Sequence, residues 1–224
     1  MDRLKNTELF NLDETIANEL FKDFKYCYEI IPNIKEYLLK LISRLNPEEF
    51  IINGDIAIAK DANVSELAVL NGPTIIDHHA EIRPFAYIRG SVIIGENCTV
   101  GNSSEIKNSI LFNGSQVPHF NYVGDSILGY KAHIGAGVKI SNLKSDSSNV
   151  VIKVDGIIVE TNIKKIGAFI GDYTEIGCNA VLNPGTVIGK NSVVYPLSNI
   201  RGYIEKEHIY KDKGIIVKKE SKEI

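Results

Sequence analysis

Three basic side chains recur at a spacing that could serve chemistry on an anion. Arg89 and Lys107 stand 18 residues apart, and His119 follows 12 residues after Lys107. A guanidinium and an ammonium that converge on one place suit a phosphate dianion. An imidazole can take a proton near neutral pH, which is the task of a general base. Polar side chains that could orient a ligand lie nearby in the sequence at Tyr122, His133 and Asn142.

The elements that must position these side chains are set by an apolar residue at every sixth position. A period of six is neither the two of a strand nor the 3.6 of a helix, so it describes a repeating unit of one short strand and one turn. Three units close a triangular coil of 18 residues, and the inward aliphatic side chains of successive coils stack. The positions are Ile52, Ile58, Val64, Leu70, Ile76, Ile82, Ile88, Ile94, Val100, Ile106 and Phe112, then Leu128, Ile134 and Ile140, then Ile170, Ile176, Leu182, Ile188, Val194 and Ile200.

This coil predicts how the basic residues are arranged. Arg89 follows the inward Ile88, and Lys107 follows the inward Ile106 one coil later. Both side chains should therefore point outward, one above the other, with His119 about one further coil along. We expect a row of basic side chains on one edge of the coil, which would form an anion site.

The repeat is interrupted twice. Around residues 114–121 the register shifts by one. Residues 141–165 contain two β-branched runs on either side of Asp155 and Gly156, and an Asp-Gly pair between such runs is a strong hairpin signal. We expect an inserted β-hairpin arm that projects from the coil.

The two ends of the chain lack the period. Residues 1–50 form a helical lead-in, in which the apolar spacing predicts a helix over 34–45. The coil should occupy residues 51–205. Residues 206–224 form a C-terminal tail, where a solvated run of charge is the ordinary interpretation. Its lysines are Lys206, Lys211, Lys213, Lys218, Lys219 and Lys222.

Composition excludes several classes of protein. The 224 residues are 44% hydrophobic and carry a net charge of −3. That charge gives no general field for nucleic acid, so no nucleic-acid partner is predicted. Cys27, Cys98 and Cys178 form no CxxC pair and are odd in number, so neither a metal site nor a disulfide framework is expected. Without a signal-peptide pattern or a bilayer-spanning apolar run, we expect a cytoplasmic protein with no membrane partner.

Five segments between about residues 82 and 194 resemble a known family in order and spacing. They are PFAYIRG, VGNSSEIKNS, HFNYVGDSILG, IGAGVKISN and IGCNAVLNPGTVIG. They are similar to the acetyltransferase domain of the bifunctional N-acetylglucosamine-1-phosphate uridylyltransferase and glucosamine-1-phosphate acetyltransferase family, and to related archaeal sugar-1-phosphate nucleotidylyltransferases. The resemblance implies an all-β fold, a left-handed parallel β-helix of hexapeptide repeats.

The resemblance also implies a reaction, in which acetyl-CoA acetylates the 2-amino group of a hexosamine 1-phosphate. By this resemblance His119 is the catalytic base, and Arg89 and Lys107 hold the phosphate. Such a site is expected to need a homotrimer, with acetyl-CoA between neighbouring coils and the lysine-rich tail near its phosphates. The implied substrate contacts are Tyr122, His133 and Asn142, and the implied acetyl-CoA contacts are Ala136, Cys178 and Tyr195.

The sequence departs from the family in ways that keep other functions open. His133 stands where the family has asparagine, Leu143 replaces a tyrosine, and Cys178 replaces a serine. The family's nucleotidyltransferase domain is not expected here, which makes a separate nucleotidyltransferase a candidate partner. A trimeric scaffold or regulatory subunit without catalysis is one alternative. A carbonic anhydrase of the same fold is another, but its histidine spacing would need a histidine at Gly124.

Overall fold

The computed structural model of this protein describes residues 1–211 and 214–220. Short helices form the N-terminal part. The helix predicted over 34–45 is present and ends three residues early, at Ile42. The helices are α1 (Asn6–Leu9), α2 (Asn18–Asp23), α3 (Cys27–Ile30) and α4 (Ile34–Ile42), with 3₁₀ turns at Asp2–Leu4 and Ile31–Asn33. Within the described residues, no helix is both long and apolar enough to cross a membrane.

The rest of the described chain is a succession of short strands. They are β1 (Phe50–Asn53), β2 (Ile56–Ala59), β3 (Asn63–Val64), β4 (Val69–Leu70), β5 (Thr74–Ile76), β6 (Glu81–Ile82), β7 (Tyr87–Ile88), β8 (Val92–Ile94), β9 (Thr99–Asn102), β10 (Glu105–Lys107), β11 (Ser109–Leu111), β12 (Gln116–His119), β13 (Tyr122–Gly124), β14 (Ile127–Leu128), β15 (His133–Ile134), β16 (Lys139–Ile140), β17 (Val151–Val154), β18 (Ile157–Glu160), β19 (Ala168–Ile170), β20 (Glu175–Ile176), β21 (Val181–Leu182), β22 (Thr186–Ile188), β23 (Val193–Val194), β24 (Asn199–Ile200), β25 (Tyr203–Ile204), β26 (His208–Tyr210) and β27 (Ile216–Lys218).

These strands form the three walls of a triangular coil. Sheet I has the order β1-β2-β5-β8-β11-β14-β19-β22-β25, sheet II the order β3-β6-β9-β12-β15-β20-β23-β26-β27, and sheet III the order β4-β7-β10-β13-β16-β21-β24. Successive coils pair in parallel, with inward residues level, as Ile88 is with Ile106. The left-handed parallel β-helix of hexapeptide repeats is confirmed.

The register shift lies elsewhere than predicted. Ile76 is level with Ile94, 18 residues on, but Ile94 is level with Leu111, only 17 residues on. The missing residues fall at the corner between sheets III and I, in five-residue steps from Ile106 to Leu111 and from Val123 to Leu128. The expected shift around 114–121 was therefore wrong, because that stretch keeps its period of six.

Two predicted inward positions are also wrong. Ile52 lies on β1, which pairs antiparallel with β2 and leaves this side chain 40% exposed. Phe112 points away from the coil interior and stacks on Phe10, at 5.1 Å between ring centroids, with Phe21 edge-on. Leu111, its neighbour, takes the inward position.

Sheet I is buried on both of its faces. Its inward residues belong to the core of the coil, while outward residues such as Ile75, Ile93 and Phe169 pack beneath the N-terminal helices. Leu38 of α4 is fully buried in that second cluster. The helical lead-in and the arm together therefore cover sheet I from β2 to β25, which leaves sheets II and III to carry any exposed site.

The inserted arm is the predicted hairpin, but it does not project. β17 and β18 pair antiparallel around Asp155 and Gly156, both with positive φ. Ile152 and Val154 are buried in the same cluster as the N-terminal helices, so the arm folds back along the coil. The C-terminal tail is also ordered where it is described, because β26 and β27 extend sheet II. Lys213 and Lys222 of that tail lie outside the described residues.

Candidate functional site

Arg89 and Lys107 lie in adjacent coils on sheet III. The backbone nitrogen of Arg89 donates to the Ile106 oxygen at 2.8 Å, so the two side chains occupy equivalent outward positions of neighbouring rungs. Gly124 takes the next rung, level with Lys107. The row of basic side chains anticipated from the 18-residue spacing is thus two residues long.

Each of these cations already has a carboxylate partner. Arg89 Nη1 lies 2.7 Å from Glu105 Oε1, and this hydrogen bond raises the pKa of the guanidinium. Lys107 Nζ lies 3.4 Å from Asp125 Oδ2. A phosphate at this place would therefore meet two ion pairs, not two bare cations.

Asp125 is, with Glu105, one of the two residues of this region that the sequence analysis did not predict. It is 3% exposed and sits at the corner where the coil is one residue short. Besides Lys107, it accepts a hydrogen bond from Asn108 Nδ2 at 2.8 Å and another from Asn142 Nδ2. The signal in the sequence is an acidic residue two positions after the inward Val123, where the neighbouring hexapeptides end in glycine or asparagine.

Tyr122 and Asn142 join the same network. Asn142 Nδ2 lies 3.3 Å from Tyr122 Oη, and partial burial raises the pKa of this tyrosine. Gly124 lies beneath this contact, where a Cβ would come within 2.7 Å of Tyr122 Oη. The residues form one connected surface, which we call the polar patch: Arg89, Glu105, Lys107, Tyr122, Asp125 and Asn142.

His119 lies at the next corner, between sheets II and III. It ends β12, its side chain is exposed, and its backbone oxygen accepts from Gly137 N at 3.0 Å. One rung below, the Ala136 oxygen accepts from Asn179 N at 2.8 Å, which sets His119, Ala136 and Cys178 one above another. Among the described contacts, none joins the His119 side chain to the polar patch. At most about 17 Å of extended chain separates His119 from Gly124 at the patch.

Two other predicted residues, Tyr195 and His133, lie outside the column that His119, Ala136 and Cys178 form. Tyr195 is 45% exposed and level with Gly177, one residue before the column. A Cβ at Gly177 would lie 2.4 Å from Pro196 N, so only glycine permits this backbone approach. His133 begins β15 of sheet II, at the opposite edge of that wall from His119, and its Nδ1 is 2.7 Å from Glu175 Oε2. The structure therefore does not bring His133 to the polar patch of the same chain.

Exposed apolar side chains run along the same corner as His119. Phe85, Phe120 and Leu197 occupy equivalent corner positions, and all three have φ between 53° and 63°. They are 60%, 59% and 79% exposed, respectively. Left-handed backbone recurs at the corners of this coil, and Ser103, Gly137 and Asn179 occupy the same corner position in the rungs between these three residues. We call Phe85, Phe120 and Leu197 the corner column.

Across the described ranges 1–211 and 214–220, no group of three or more His, Cys, Asp or Glu side chains could hold a metal ion.

Two family models match consecutive parts of the chain. The GMPPB C-terminal domain matches residues 70–167, and the bacterial transferase hexapeptide model of six repeats matches residues 167–202. Their junction falls between the arm and the second run of the coil, so the match covers both the polar patch and the His119 column.

Curated relatives include bacterial and archaeal proteins. A bifunctional protein GlmU of Methanococcus maripaludis strain C7 is 39% identical over 220 residues, covering 96% of this chain and 53% of the relative. The GlmU of Methanococcus vannielii is 39% identical over 120 residues, covering 53% of this chain and 29% of the relative. YaiX of Escherichia coli K12, named as a putative uncharacterized acetyltransferase, is 31% identical over 178 residues. The match covers 75% of this chain and 77% of YaiX. The chain thus spans about half or less of the length of the GlmU relatives.

Solved structures give weaker similarities. AntD, an N-acyltransferase from Bacillus cereus, matches with a TM-score of 0.37 and 17% identity, covering 75% of this chain and 83% of AntD. WeeI from Acinetobacter baumannii matches with a TM-score of 0.37 and 15% identity, covering 69% of this chain and 57% of WeeI.

Proposed function

The chain belongs to the hexapeptide-repeat acyltransferases, and from that premise we propose that it transfers an acetyl group from acetyl-CoA to the 2-amino group of a hexosamine 1-phosphate, with glucosamine 1-phosphate as the first candidate. The observation that carries this proposal is the exposed His119 directly above Ala136 and Cys178, one strand away from the polar patch. His119, Ala136 and Cys178 share the corner between sheets II and III, and the polar patch lies across the adjoining wall, sheet III.

His119 acts as the general base in this proposal. The protonated amine has no lone pair, so its nitrogen cannot attack a thioester until the imidazole has taken a proton. The amine nitrogen then bonds to the thioester carbonyl carbon, and the carbon–sulfur bond breaks. The CoA thiolate leaves and is protonated, giving CoA and the N-acetylated sugar phosphate.

The polar patch holds the sugar. Tyr122 Oη and the Asn142 amide present a donor and acceptor surface suited to hydroxyl groups. Arg89 and Lys107 are the phosphate contacts, and a bound phosphate would take over from Glu105 and Asp125 as their partner. His133 lies on another wall, so any contact it makes with the sugar would cross to a neighbouring subunit.

The corner column supports a homotrimer as the working form. The next copy of the chain would pack against Phe85, Phe120 and Leu197, because exposed apolar side chains along one edge are typical of an interface. Acetyl-CoA would then lie along Ala136, Cys178 and Tyr195 between two copies. Lys218 and Lys219 of the extended sheet II could meet its phosphates. We expect the enzyme to work in the cytoplasm, where acetyl-CoA and sugar phosphates meet.

The reaction is tested by incubating the purified protein with acetyl-CoA and glucosamine 1-phosphate, and by following thiol release with mass detection of the product. We expect turnover that His119→Ala lowers by about two to four orders of magnitude, the usual contribution of a general base. His79→Ala, which removes an exposed histidine of another region, is the matched control. Thiol release that is absent, or equal in both variants, would contradict the proposal.

A scaffold without catalysis is the second candidate. It is favoured by the ion pairs of Arg89 with Glu105 and of Lys107 with Asp125, and by the contact of the His133 ring with Glu175. Thermal stabilisation by sugar phosphates without acetyl transfer would support it, since a ligand that binds only the folded state raises the melting temperature. The same thermal-shift experiment with a nucleotidyltransferase added would reveal whether the two proteins bind each other.

A further inference from the structure

The side chain of Lys139, which lies outside the sequence-predicted site, reaches the same corner as His119. Its Nζ donates to the backbone oxygen of Phe120 at 3.0 Å and to that of Gly137 at 2.9 Å. Phe120 directly follows His119, and Gly137 directly follows Ala136. One ammonium group therefore bridges two successive rungs beside the proposed base and the proposed acetyl-CoA contact.

Covalent geometry limits how far this ammonium can lie from either of those residues. The Cα atoms of adjacent residues are about 3.8 Å apart, and a carbonyl oxygen lies at most about 2.8 Å from its own Cα. With the two hydrogen bonds added, Nζ lies at most about 10 Å from the Cα of His119 and from the Cα of Ala136. A group that contacts the reacting atoms must be near both residues, and Lys139 meets this condition.

The positive charge of Lys139 is not compensated by an acid. Both of its partners are neutral carbonyl oxygens, and among the described residues no carboxylate lies at ion-pair distance from Nζ. Its counterparts on the adjoining rungs are Tyr122 and Val181. Arg89 and Lys107, by contrast, each face a carboxylate. Lys139 therefore keeps its charge for a ligand close to the proposed base.

The two carbonyl oxygens also leave part of the ammonium's hydrogen-bonding capacity unused. A lysine ammonium has three N–H donors, of which the Phe120 and Gly137 oxygens take two. In the part of the chain that the structure describes, the third N–H has no acceptor, and the exposed position of Lys139 gives a ligand access to it. Because Nζ is fixed at the corner before a ligand arrives, this donor is preorganised.

We propose that Lys139 is a catalytic residue whose third N–H donates to the thioester carbonyl oxygen of bound acetyl-CoA and stabilises the negative charge that develops there. The inference rests on the proposed acetyl transfer. When the amine nitrogen bonds to the carbonyl carbon, one electron pair of the double bond moves onto the oxygen. A cationic donor fixed beside that oxygen stabilises the transition state more than the ground state.

The rest of the transfer balances without any proton from Lys139. The electron pair returns from the oxygen to re-form the carbonyl, the carbon–sulfur bond breaks, and CoA leaves as a thiolate. The nitrogen releases its second proton to water, and the imidazolium of His119 protonates the thiolate, which restores the neutral base. Acetyl-CoA and the protonated amine thus yield the amide, CoA and one proton, and Lys139 acts through its charge and its hydrogen bond alone.

Steady-state kinetics of the full chain with acetyl-CoA and glucosamine 1-phosphate test this role. Lys139→Gln should lower kcat about a hundredfold to a thousandfold, the usual cost of removing one oxyanion donor. The Kd of CoA, measured by calorimetry, should change less than about twofold, because CoA lacks the thioester carbonyl. Lys139→Arg keeps the charge and should recover part of the loss. Lys60→Gln, which removes an exposed lysine of the first coil, is the control.

Two kinetic outcomes would overturn the assignment. One is an unchanged kcat in Lys139→Gln while the wild type acetylates the sugar. The other is a weaker Kd of CoA with kcat unchanged, which would make Lys139 a binding contact for another part of the cofactor.

Infrared difference spectra of acetyl-CoA labelled with ¹³C at the thioester carbonyl provide a readout that needs binding but no turnover. The carbonyl band of the bound label should lie at higher frequency in Lys139→Gln than in the wild type, because loss of the donor leaves the bond less polarised. Equal bands in the two proteins would overturn the contact. If the wild type acetylates no amino sugar, the proposed function fails, and the carbonyl band still decides whether Lys139 contacts the thioester.

Discussion

Asp125 shows how one residue can organise several others. Its side chain is almost completely buried and accepts from Asn108, Asn142 and Lys107 together. Each of these three side chains is therefore held in one rotamer by a single carboxylate. A buried acceptor with three donors is costly to alter, because every donor left without a partner keeps its desolvation cost.

Asp125→Asn removes the charge and leaves one acceptor oxygen for three donors. We expect the free energy of unfolding to fall by about 1 to 3 kcal/mol, the usual cost of unsatisfied buried groups. Urea denaturation of both proteins measures this difference. Asp146→Asn is the control, since the Asp146 side chain is 65% exposed. Equal unfolding midpoints for Asp125→Asn and the wild type would show that the network does not stabilise the corner.

The three thiols should differ in reactivity. Burial raises the pKa of Cys98 to about 12 and raises that of Cys27 as well, whereas Cys178 is exposed. The thiolate is the reactive form, so native protein should release one equivalent of chromophore from a disulfide reagent and three after denaturation. Acetyl-CoA should slow the native reaction if it covers Cys178. More than one fast thiol in the native protein would contradict this expectation.

The pair of His78 and Asp61 predicts a pH window of stability. The hydrogen bond between them, 3.0 Å long, raises the pKa of His78 and lowers that of Asp61. The histidine contribution is complete below the unfolded value of about 6.5 and is lost as pH rises through the raised folded value. The Asp61 contribution is present above its unfolded value of about 4 and is lost as pH falls through the lowered one.

His78→Gln should therefore lower the melting temperature most at mildly acidic pH, between those two limits. The difference from wild type should shrink toward alkaline pH, because neutral histidine loses its ion pair. Melting curves across the pH range measure it. His208→Gln is the control, because the His208 ring lies 2.7 Å from the Lys206 backbone oxygen and forms no ion pair among the residues that the structure describes. A difference that grows with rising pH would refute this account.

At the scale of elements, the sequence predicts the coil well and its irregularities poorly. The six-residue period places most inward positions, and Asp155 with Gly156 places the hairpin turn. The five-residue step escapes the period because Ile110, Leu111 and Phe112 are all apolar, so any of them could point inward. Nothing local decides between them; the aromatic contacts of Phe112 with the distant Phe10 and Phe21 do.

The sequence does indicate that sheet I is buried on both faces, but counting every sixth residue does not detect that indication. Strands such as Val92–Ile94 hold three buried residues in succession. In sheets II and III, by contrast, buried and exposed residues alternate, as in Tyr87–Ile88. Continuous apolar runs are typical of strands covered on both sides. The folded-back arm follows from the same cause, since its own apolar face is buried against that wall. The polar patch was predicted except for Glu105 and Asp125, which the six-residue period treats as an ordinary outward residue and an ordinary turn residue.

Phe112→Ala tests the contact between the coil and the N-terminal helices. The side chain is fully buried against two phenylalanines, so we expect a loss of about 3 to 5 kcal/mol in the free energy of unfolding. Leu39→Ala, at a 46% exposed position of α4, should stay within about 0.5 kcal/mol of wild type. Chemical denaturation followed by circular dichroism gives both values, and a comparable loss in the two variants would contradict the assignment.

On the scale of the whole molecule, the cover over sheet I leaves sheets II and III, and the corner between them, free for assembly with other copies of the chain. The corner column lies between those two walls, next to His119. A proposed trimer that buries this corner would place each His119 beside a neighbouring chain. Assembly and activity should then be lost together.

Phe120→Asp puts a charge into the corner column. We expect the trimer to dissociate at micromolar concentration, because an unpaired charge in an apolar interface is strongly disfavoured. Size-exclusion chromatography with light scattering measures the mass, and circular dichroism checks that the coil is intact. Leu39→Asp, on the N-terminal helices, is the control that should remain trimeric. A trimer unaffected by Phe120→Asp would place the interface elsewhere.

The two antiparallel strands, β1 on sheet I and β27 on sheet II, have a consequence for the length of the molecule. A stack of parallel strands has no intrinsic end, since each new rung presents the same edge as the last and could template another chain. A reversed strand changes the hydrogen-bonding pattern that the next rung would need. One end of the coil therefore carries the reversed β1 and the other end the reversed β27, whereas the terminal strands β3, β4, β24 and β25 keep parallel edges. Parallel addition of another chain is thus blocked at one edge of sheet I and at one edge of sheet II.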